Sequence, residues 1–179
     1  PDIVCVMADR REILAATAAA SFQNIPVMHA QGGERSGSID DRVRDAVSHF
    51  ADIHCVCTAK AAARVRAMTA SDRVFHTGCG SVDMALRAQH EPIVTVIELG
   101  GAGAETQLSH PIVVLQHPVT SETHDAEAQM VATLDAVTSQ PNFQTPIVFW
   151  PGEDAGAGAM SKSLRQYQTR VHTVRNLPP

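Results

Sequence analysis

The feature that most constrains this chain is a regular alternation: short, continuous apolar runs are each followed by a longer stretch of helix-forming residues. Runs too short for helices yet apolar throughout mark strands buried in a parallel sheet, whose faces the crossover helices cover. In the first half, strands are expected at 2–7, 25–29, 53–57 and 74–77. Helices are expected over 11–22, from Asp40 or its neighbour to about Ala51, over 60–68, and from Gly80 to about Ala88. Val43, Val47 and Phe50 mark one apolar face of the second of these. The second half resumes the series with strands at 112–115, 146–150 and 171–174 and helices over about 124–137 and 158–167. Between the halves, residues 92–108 carry Gly100, Gly101 and Gly103 and read as a strand followed by a loop, or as a linker. The expected fold class is α/β, with Rossmann-like, doubly wound parallel sheets covered on both faces.

Composition excludes several partner classes. With 44% hydrophobic and 18% charged residues the chain can bury a core, and no apolar run nears the roughly 18–20 residues that span a bilayer. A net charge of −5 without a basic stripe, and only 4% aromatic residues, argue against nucleic acid as a partner. No membrane partner is expected either, and the location is expected to be cytoplasmic. Cys5, Cys55, Cys57 and Cys79 lack the C-x-x-C spacing of zinc sites and read as reduced core thiols. The nine histidines show no metal-ligand spacing, so neither a metal site nor a cofactor is expected. The chain opens on Pro1 directly before a strand and reads as part of a longer polypeptide.

In open α/β sheets the ligand lies beyond the carboxyl ends of the strands. Four polar loops follow strands here: Ala8-Asp9-Arg10; His29-Ala-Gln-Gly-Gly-Glu34, continuing to Asp41; Gly78-Cys-Gly-Ser81; and Gln116-His-Pro-Val-Thr120. The glycine loop lets backbone approach a ligand closely and can present N–H groups to an anion. It matches neither G-x-G-x-x-G nor the lysine-containing P-loop, and its composition is equally that of a turn. Asp9 and Arg10 read as a functional pair, or as a surface ion pair or helix cap. His117, between an apolar run and Pro118, is a candidate for proton transfer because imidazole titrates near neutrality, although a lone histidine also serves as a packing residue.

Taken in order, these loops resemble the hydrolysing UDP-N-acetylglucosamine 2-epimerases of sialic-acid-type pathways. The run His29-Ala-Gln-Gly-Gly-Glu-Arg-Ser-Gly-Ser-Ile-Asp-Asp41 is similar to that family's H-I-E-G-G-E-V-S-G-T-I-D-[DE]. Ala8-Asp9-Arg10 resembles its G-D-R, Gly78-Cys-Gly-Ser81 its G-C-P-S, Gln116–Thr120 its Q-H-P-V-T, and Trp150-Pro-Gly-Glu-Asp-Ala-Gly156 its W/F-P-N-x-D-A-G.

The resemblance implies a two-domain, GT-B-like architecture. Residues 1–90 would be the later part of an N-terminal Rossmann-like domain, 91–111 a linker or interdomain segment, and 112–179 the opening βα units of a C-terminal nucleotide-binding domain. It implies a nucleotide-sugar substrate, a homo-oligomer, and conversion of UDP-N-acetylglucosamine and water into N-acetylmannosamine and UDP. Asp9, Asp40 and His117 then fall on catalytic positions, as does Gln31. Arg10, Gly32, Gly33, Glu34, Ser36, Asp41 and Arg44 fall on substrate-binding ones. Gln31 stands where the family pattern has glutamate, and an amide cannot shuttle a proton. Losing an acid–base group of that kind lowers activity by about 10²–10⁴-fold. The alternative reading is a catalytically impaired or non-catalytic, epimerase-like binding or assembly protein.

Overall fold

Strand β1 (Val4–Met7) turns alternate residues to opposite faces, and β2 (Val27–Ala30), β3 (Ile53–Val56) and β4 (Val74–His76) continue the pattern in parallel register. On one face Val6, Val27, His29, His54, Val56 and Val74 are buried. Helices α1 (Arg11–Phe22), α2 (Asp40–Phe50) and α3 (Ala59–Thr69) cover that face: Ala20 and Val47 join Val6 and Val27, while Ala61, Ala62 and Val65 join Val56 and Val74. Helix α4 (Gly80–Ala88) buries none of its residues. The computed structural model describes residues 1–90, 95–140 and 144–175, divided into two compact units, Pro1–Glu91 and Pro92–Pro179.

The first sheet runs β1-β2-β3-β4, so every crossover winds the same way. Right-handed crossovers that all advance in one direction place their helices on one side of the sheet. Among the described residues helices cover one face of this sheet, and on the other Met7 and Phe75 are both more than half exposed. The cysteines correct one expectation. Cys5 is exposed and the other three are only partly buried, because Cys5 and Cys55 lie on the face away from the helices and Cys57 and Cys79 lie past strand ends.

In the second unit β6 (Val113–Val114), β7 (Ile147–Phe149) and β8 (His172–Val174) are parallel neighbours. Helices α6 (Ala126–Thr138) and α7 (Ala157–Gln166) pack on one face through Met130, Leu134, Met160 and Leu164. The other face is met by Leu99 from the short helix α5 (Val96–Leu99), against Ile147 and Val174. Strand β5 (Ala102–Gly103) pairs antiparallel with β8. Residues 95–108, read from sequence as a strand and loop or a linker, thus belong to the packing of this sheet; 91–94 lie outside the described residues. No helix of the described residues is long and apolar enough to cross a membrane.

Two buried histidines sit side by side on the helix-covered face, His29 opposite His54 in register. His29 bonds Ser48 Oγ through Nδ1 at 3.0 Å and the Ala8 carbonyl through Nε2 at 2.9 Å. A carbonyl only accepts, so Nε2 carries the proton and Nδ1 accepts from the serine. Neither ring nitrogen of His54 has a hydrogen-bond partner among the described residues. Burial holds both imidazoles below their ordinary value, opposed by the Ala8 carbonyl at His29 and by Asp52 at His54. A group whose folded value is depressed binds protons preferentially in the unfolded chain, so its stabilisation is complete above the unfolded value and fades as pH falls. The urea midpoint is expected to drop as pH is lowered from 7.5 to 5.5, through the unfolded imidazole value of about 6.5. His54→Leu, which removes an unsatisfied buried group, is expected to reduce that drop and to raise the midpoint at pH 5.5; an identical pH response in wild type and variant would refute this.

Candidate active site

Helix α2 departs from an ordinary amphipathic pattern: its buried residues are Asp41, Arg44, Val47 and Ser48, so its amino-terminal half turns charge inward. The Arg44 side chain is only 7% exposed. Its Nη1 donates to the Glu34 carbonyl and to Asp41 Oδ1, each at 2.8 Å, and its Nη2 donates to Asp9 Oδ2. One guanidinium thus joins the loop after β1, the loop after β2 and the start of α2. Asp41 in turn gathers the glycine loop: its carboxylate accepts from the Ser36 amide at 2.8 Å, the Ser36 hydroxyl at 3.1 Å and the Gly37 amide at 3.0 Å. The Ser36 amide above all, then the Gly37 amide, the Ser36 hydroxyl and Arg44, hold the Asp41 carboxyl far below the usual range against the opposing effect of burial.

Two of the three glycines of this loop, Gly32 and Gly33, are packing glycines. A Cβ on Gly32 would lie 2.9 Å from Ser48 Oγ and 3.1 Å from His29 Nδ1. One on Gly33, whose φ is +80°, would lie 2.6 Å from the Ala61 carbonyl oxygen. Their missing side chains let the loop close over His29 and the start of α3. Gln31 adopts a φ of 64°, in the left-handed region that non-glycine residues visit rarely, and its Nε2 reaches Cys79 Sγ at 3.6 Å.

These loops enclose a cavity of about 250 Å³ at the carboxyl ends of the strands, lined by Ala8, Asp9, Gln31, Glu34, Arg44, Cys57 and Cys79. The candidates Asp9, Gln31, Glu34 and Arg44 are thus brought together. Asp40, Arg10, Ser36, Asp41, Gly32 and Gly33 are outside the lining. Asp40 is the first residue of α2 and accepts from Ser38 Oγ at 2.8 Å; Arg10 is half exposed ahead of α1, 3.6 Å from Glu12. The loop of Cys79 was among the four read from sequence, but neither Cys79 nor Cys57 was named as a site residue; both lie just past adjacent strands.

In the second unit His117 follows β6 and lines a cavity of about 620 Å³ with Trp150, Ser161, Arg165, Arg175 and the start of α7 at Ala157 and Gly158. The Gly152 amide donates to His117 Nδ1 at 3.1 Å, which leaves the proton of a neutral ring on Nε2. The Arg165 and Arg175 guanidiniums each stand 5.4 Å from the Trp150 ring centre, a cation–π arrangement. Helix α7 is entered through Gly156 at φ 97°, where a Cβ would meet Pro118 at 3.0 Å, and it has no side-chain cap. The Ala157 and Ala159 amides at its start donate to the Asp154 and Gly156 carbonyls at 3.0 and 3.1 Å, and two arginines and an imidazole stand beside them, an environment that suits an anion. Arg165 and Arg175 had no motif to announce them. Among the described residues no cluster of His, Cys, Asp and Glu suits a metal ion.

A family profile described as UDP-N-acetylglucosamine 2-epimerase matches residues 1–179. The chain is 29% identical over 168 residues to the UDP-N,N'-diacetylbacillosamine 2-epimerase (hydrolyzing) of Legionella pneumophila, covering 93% of this chain and 43% of that protein. It is 29% identical over 173 residues to the UDP-N-acetylglucosamine 2-epimerase of Neisseria meningitidis, covering 94% and 44%. The crystal structure of the Methanocaldococcus jannaschii UDP-GlcNAc 2-epimerase in complex with UDP-GlcNAc and UDP shares its fold, with a TM-score of 0.69 at 16% identity over 98% of this chain and 49% of that one. The chain spans less than half the length of the curated relatives it matches.

Burial decides which charges hold the first site together. Arg44→Met leaves Asp9 and Asp41 beside an apolar side chain and is expected to destabilise the protein by about 3–5 kcal/mol. Arg35 lies 3.7 Å from the same Asp41 but is 52% exposed, so Arg35→Met is expected to stay within about 0.5 kcal/mol. Urea unfolding of the two variants checks this, and equal losses would contradict it.

Proposed function

The chain belongs to the UDP-N-acetylglucosamine 2-epimerase family, and from that premise we propose that the protein carrying it is a hydrolysing epimerase that converts UDP-N-acetylglucosamine and water into N-acetylmannosamine and UDP. The observation that supports this reading most is positional: in both units the loops carrying Asp9, Gln31 to Glu34 and His117 follow the carboxyl ends of parallel strands and line cavities there. That is where α/β folds bind ligands and act on them.

The reaction makes two demands. A proton must leave sugar C2, and the departing diphosphate must be stabilised as its bond to C1 breaks. On this reading the first-unit cavity serves the sugar, with Arg44 fixing the Asp9 carboxylate. Asp40, Arg10, Ser36 and Asp41 order or flank the loops around it. In the second unit, taken by itself, His117 offers Nε2–H and Arg165 and Arg175 offer positive charge to an anionic group such as a phosphate. The substrate is a nucleotide sugar, and a sialic-acid-type product route follows from N-acetylmannosamine.

A second reading has a specific observation behind it. Gln31 supplies no carboxylate, which would favour a protein that binds the nucleotide sugar without turning it over.

Incubating the full chain with UDP-N-acetylglucosamine while following UDP and N-acetylmannosamine separates the two. Release of both products is expected, with His117→Ala lowering kcat by about 10²–10³-fold, the loss typical when a donor to developing charge is removed. Because one relative bears the diacetylbacillosamine name, UDP-N,N'-diacetylbacillosamine is run in parallel. Preferential turnover of that sugar would overturn the substrate assignment, and binding without turnover of either would favour the second reading.

A further inference from the structure

The residue that delivers Asp9 to the first-unit cavity has an uncommon backbone conformation. Ala8, between the end of β1 and Asp9, has a φ of 64°, in the left-handed region. A residue with a Cβ is disfavoured there about tenfold relative to right-handed backbone. Ala8 stands where the family's G-D-R has glycine, for which the same turn is free of that cost. With alanine the turn persists only if its surroundings determine it.

Both backbone groups of Ala8 are held from β2. Its amide donates to the Ala30 carbonyl at 3.0 Å, and its carbonyl accepts from His29 Nε2 at 2.9 Å. The His29 ring is fully buried, and burial favours its neutral form, which has one N–H to give. The hydroxyl of Ser48, itself fully buried on α2, donates to Nδ1 at 3.0 Å and so fixes that N–H on Nε2. Gly32 closes over the pair, its missing Cβ leaving room for Ser48 Oγ and His29 Nδ1. Beyond the turn, Asp9 Oδ2 accepts from Arg44 Nη2. Arg44 and Ser48 lie one turn apart on α2, so this helix grips the loop after β1 at two points. Arg44 holds the Asp9 side chain, and Ser48 acts through His29 on the peptide that precedes it.

We propose that Ser48 and His29 are positioning residues whose relay to the Ala8 carbonyl holds the left-handed turn that presents the Asp9 carboxylate to the cavity. The proposal rests on the epimerase reading only for the reaction that Asp9 serves. Neither side chain lines the cavity, and both act through the backbone of Ala8. Without the relay an alanine returns to right-handed backbone and carries Asp9 away from Arg44. A glycine at the same place keeps the left-handed turn populated without help.

The relay has opposite consequences for stability and for turnover, which a histidine that merely fills the core would not produce. In the full chain His29→Asn, whose amide falls short of the place of Nε2, is compared with His29→Gln, whose amide nitrogen reaches it. Each is made with and without Ala8→Gly. In urea unfolding His29→Asn is expected to lower the midpoint less with alanine at position 8 than in the Ala8→Gly background, because only alanine regains its strain when the turn lets go. Equal losses in the two backgrounds overturn the proposal. In turnover of UDP-N-acetylglucosamine, His29→Asn is expected to lower kcat about tenfold with KM little changed. Adding Ala8→Gly is expected to restore most of that loss, and His29→Gln to recover to within about threefold of wild type. Ser48→Ala, which releases the tautomer and leaves the ring in place, serves if His29→Asn does not fold; a loss of about threefold in kcat, restored by Ala8→Gly, is expected. A kcat that the variants leave unchanged, or a loss that Ala8→Gly does not restore, overturns the proposal and leaves the epimerase reading standing. Absence of turnover in the wild type overturns that reading, and the unfolding comparison then decides the relay by itself.

Discussion

The first unit is organised around one buried cation. Arg44 is almost wholly withdrawn from solvent and takes its acceptors inside the protein, on three separate segments: Asp9 after β1, the Glu34 carbonyl in the glycine loop, and Asp41 one turn back on its own helix. A lysine could not satisfy this set, because only the planar guanidinium fork reaches several acceptors at fixed angles. Removing the charge strands two carboxylates; keeping it fixes the distance between two loops that hydrogen bonds of the sheet alone would leave adjustable. The open conformations of Gln31 and Gly33, both at positive φ, persist because this ion cluster and the packing under Gly32 determine the loop from both sides.

The sheet supplies the second constraint. Parallel strands end at the same edge, so every strand-to-helix loop of a unit is delivered to one rim, and residues far apart in sequence meet there without any local signal. Asp9, Gln31, Cys57 and Cys79 come from the ends of four successive strands, and they line one cavity of about 250 Å³ for this reason. The same rule places His117, Trp150 and Arg175 around the cavity of the second unit, after β6, β7 and β8.

Most of the element order was legible because parallel-sheet strands are short and apolar throughout, and the helices between them are rich in alanine and other good helix formers. Helix α1 spans Arg11–Phe22 as its composition indicates. Helix α2 was harder: Phe50, assigned to its apolar face, is 41% exposed, while Asp41, Arg44 and Ser48 are buried. Hydrophobic periodicity cannot find a face that is buried in order to hold charge. That the crossovers between β1 and β4 all place their helices on one side of the sheet was equally illegible, since strand composition does not report in which direction successive crossovers wind. Of the candidate site, the loop positions of Asp9, Gln31, Glu34 and His117 were readable from motif order. Arg165 and Arg175 were not, because an arginine in a helix or after a final strand looks like any surface charge until the tryptophan between them is placed.

The two cavities differ in how their charge is balanced, and that difference bears on what each can hold. In the first unit the cation is internally compensated: Arg44 faces Asp9 and Asp41, and Arg35 leans on Asp41 and Asp45. A ligand there meets no net cation excess and must be recognised by hydrogen bonding and shape, as a neutral sugar ring would be. In the second unit Arg165 and Arg175 lie over the Trp150 ring, with Glu153 the acidic residue of the lining. Cations held on a ring face keep much of their charge available to a further partner, and the dipole at the amino-terminal end of α7 adds partial positive charge beside them. On the epimerase reading this division follows the substrate's own chemistry. The diphosphate needs its charge neutralised before it can depart, whereas the sugar needs a positioned base in surroundings that do not quench it.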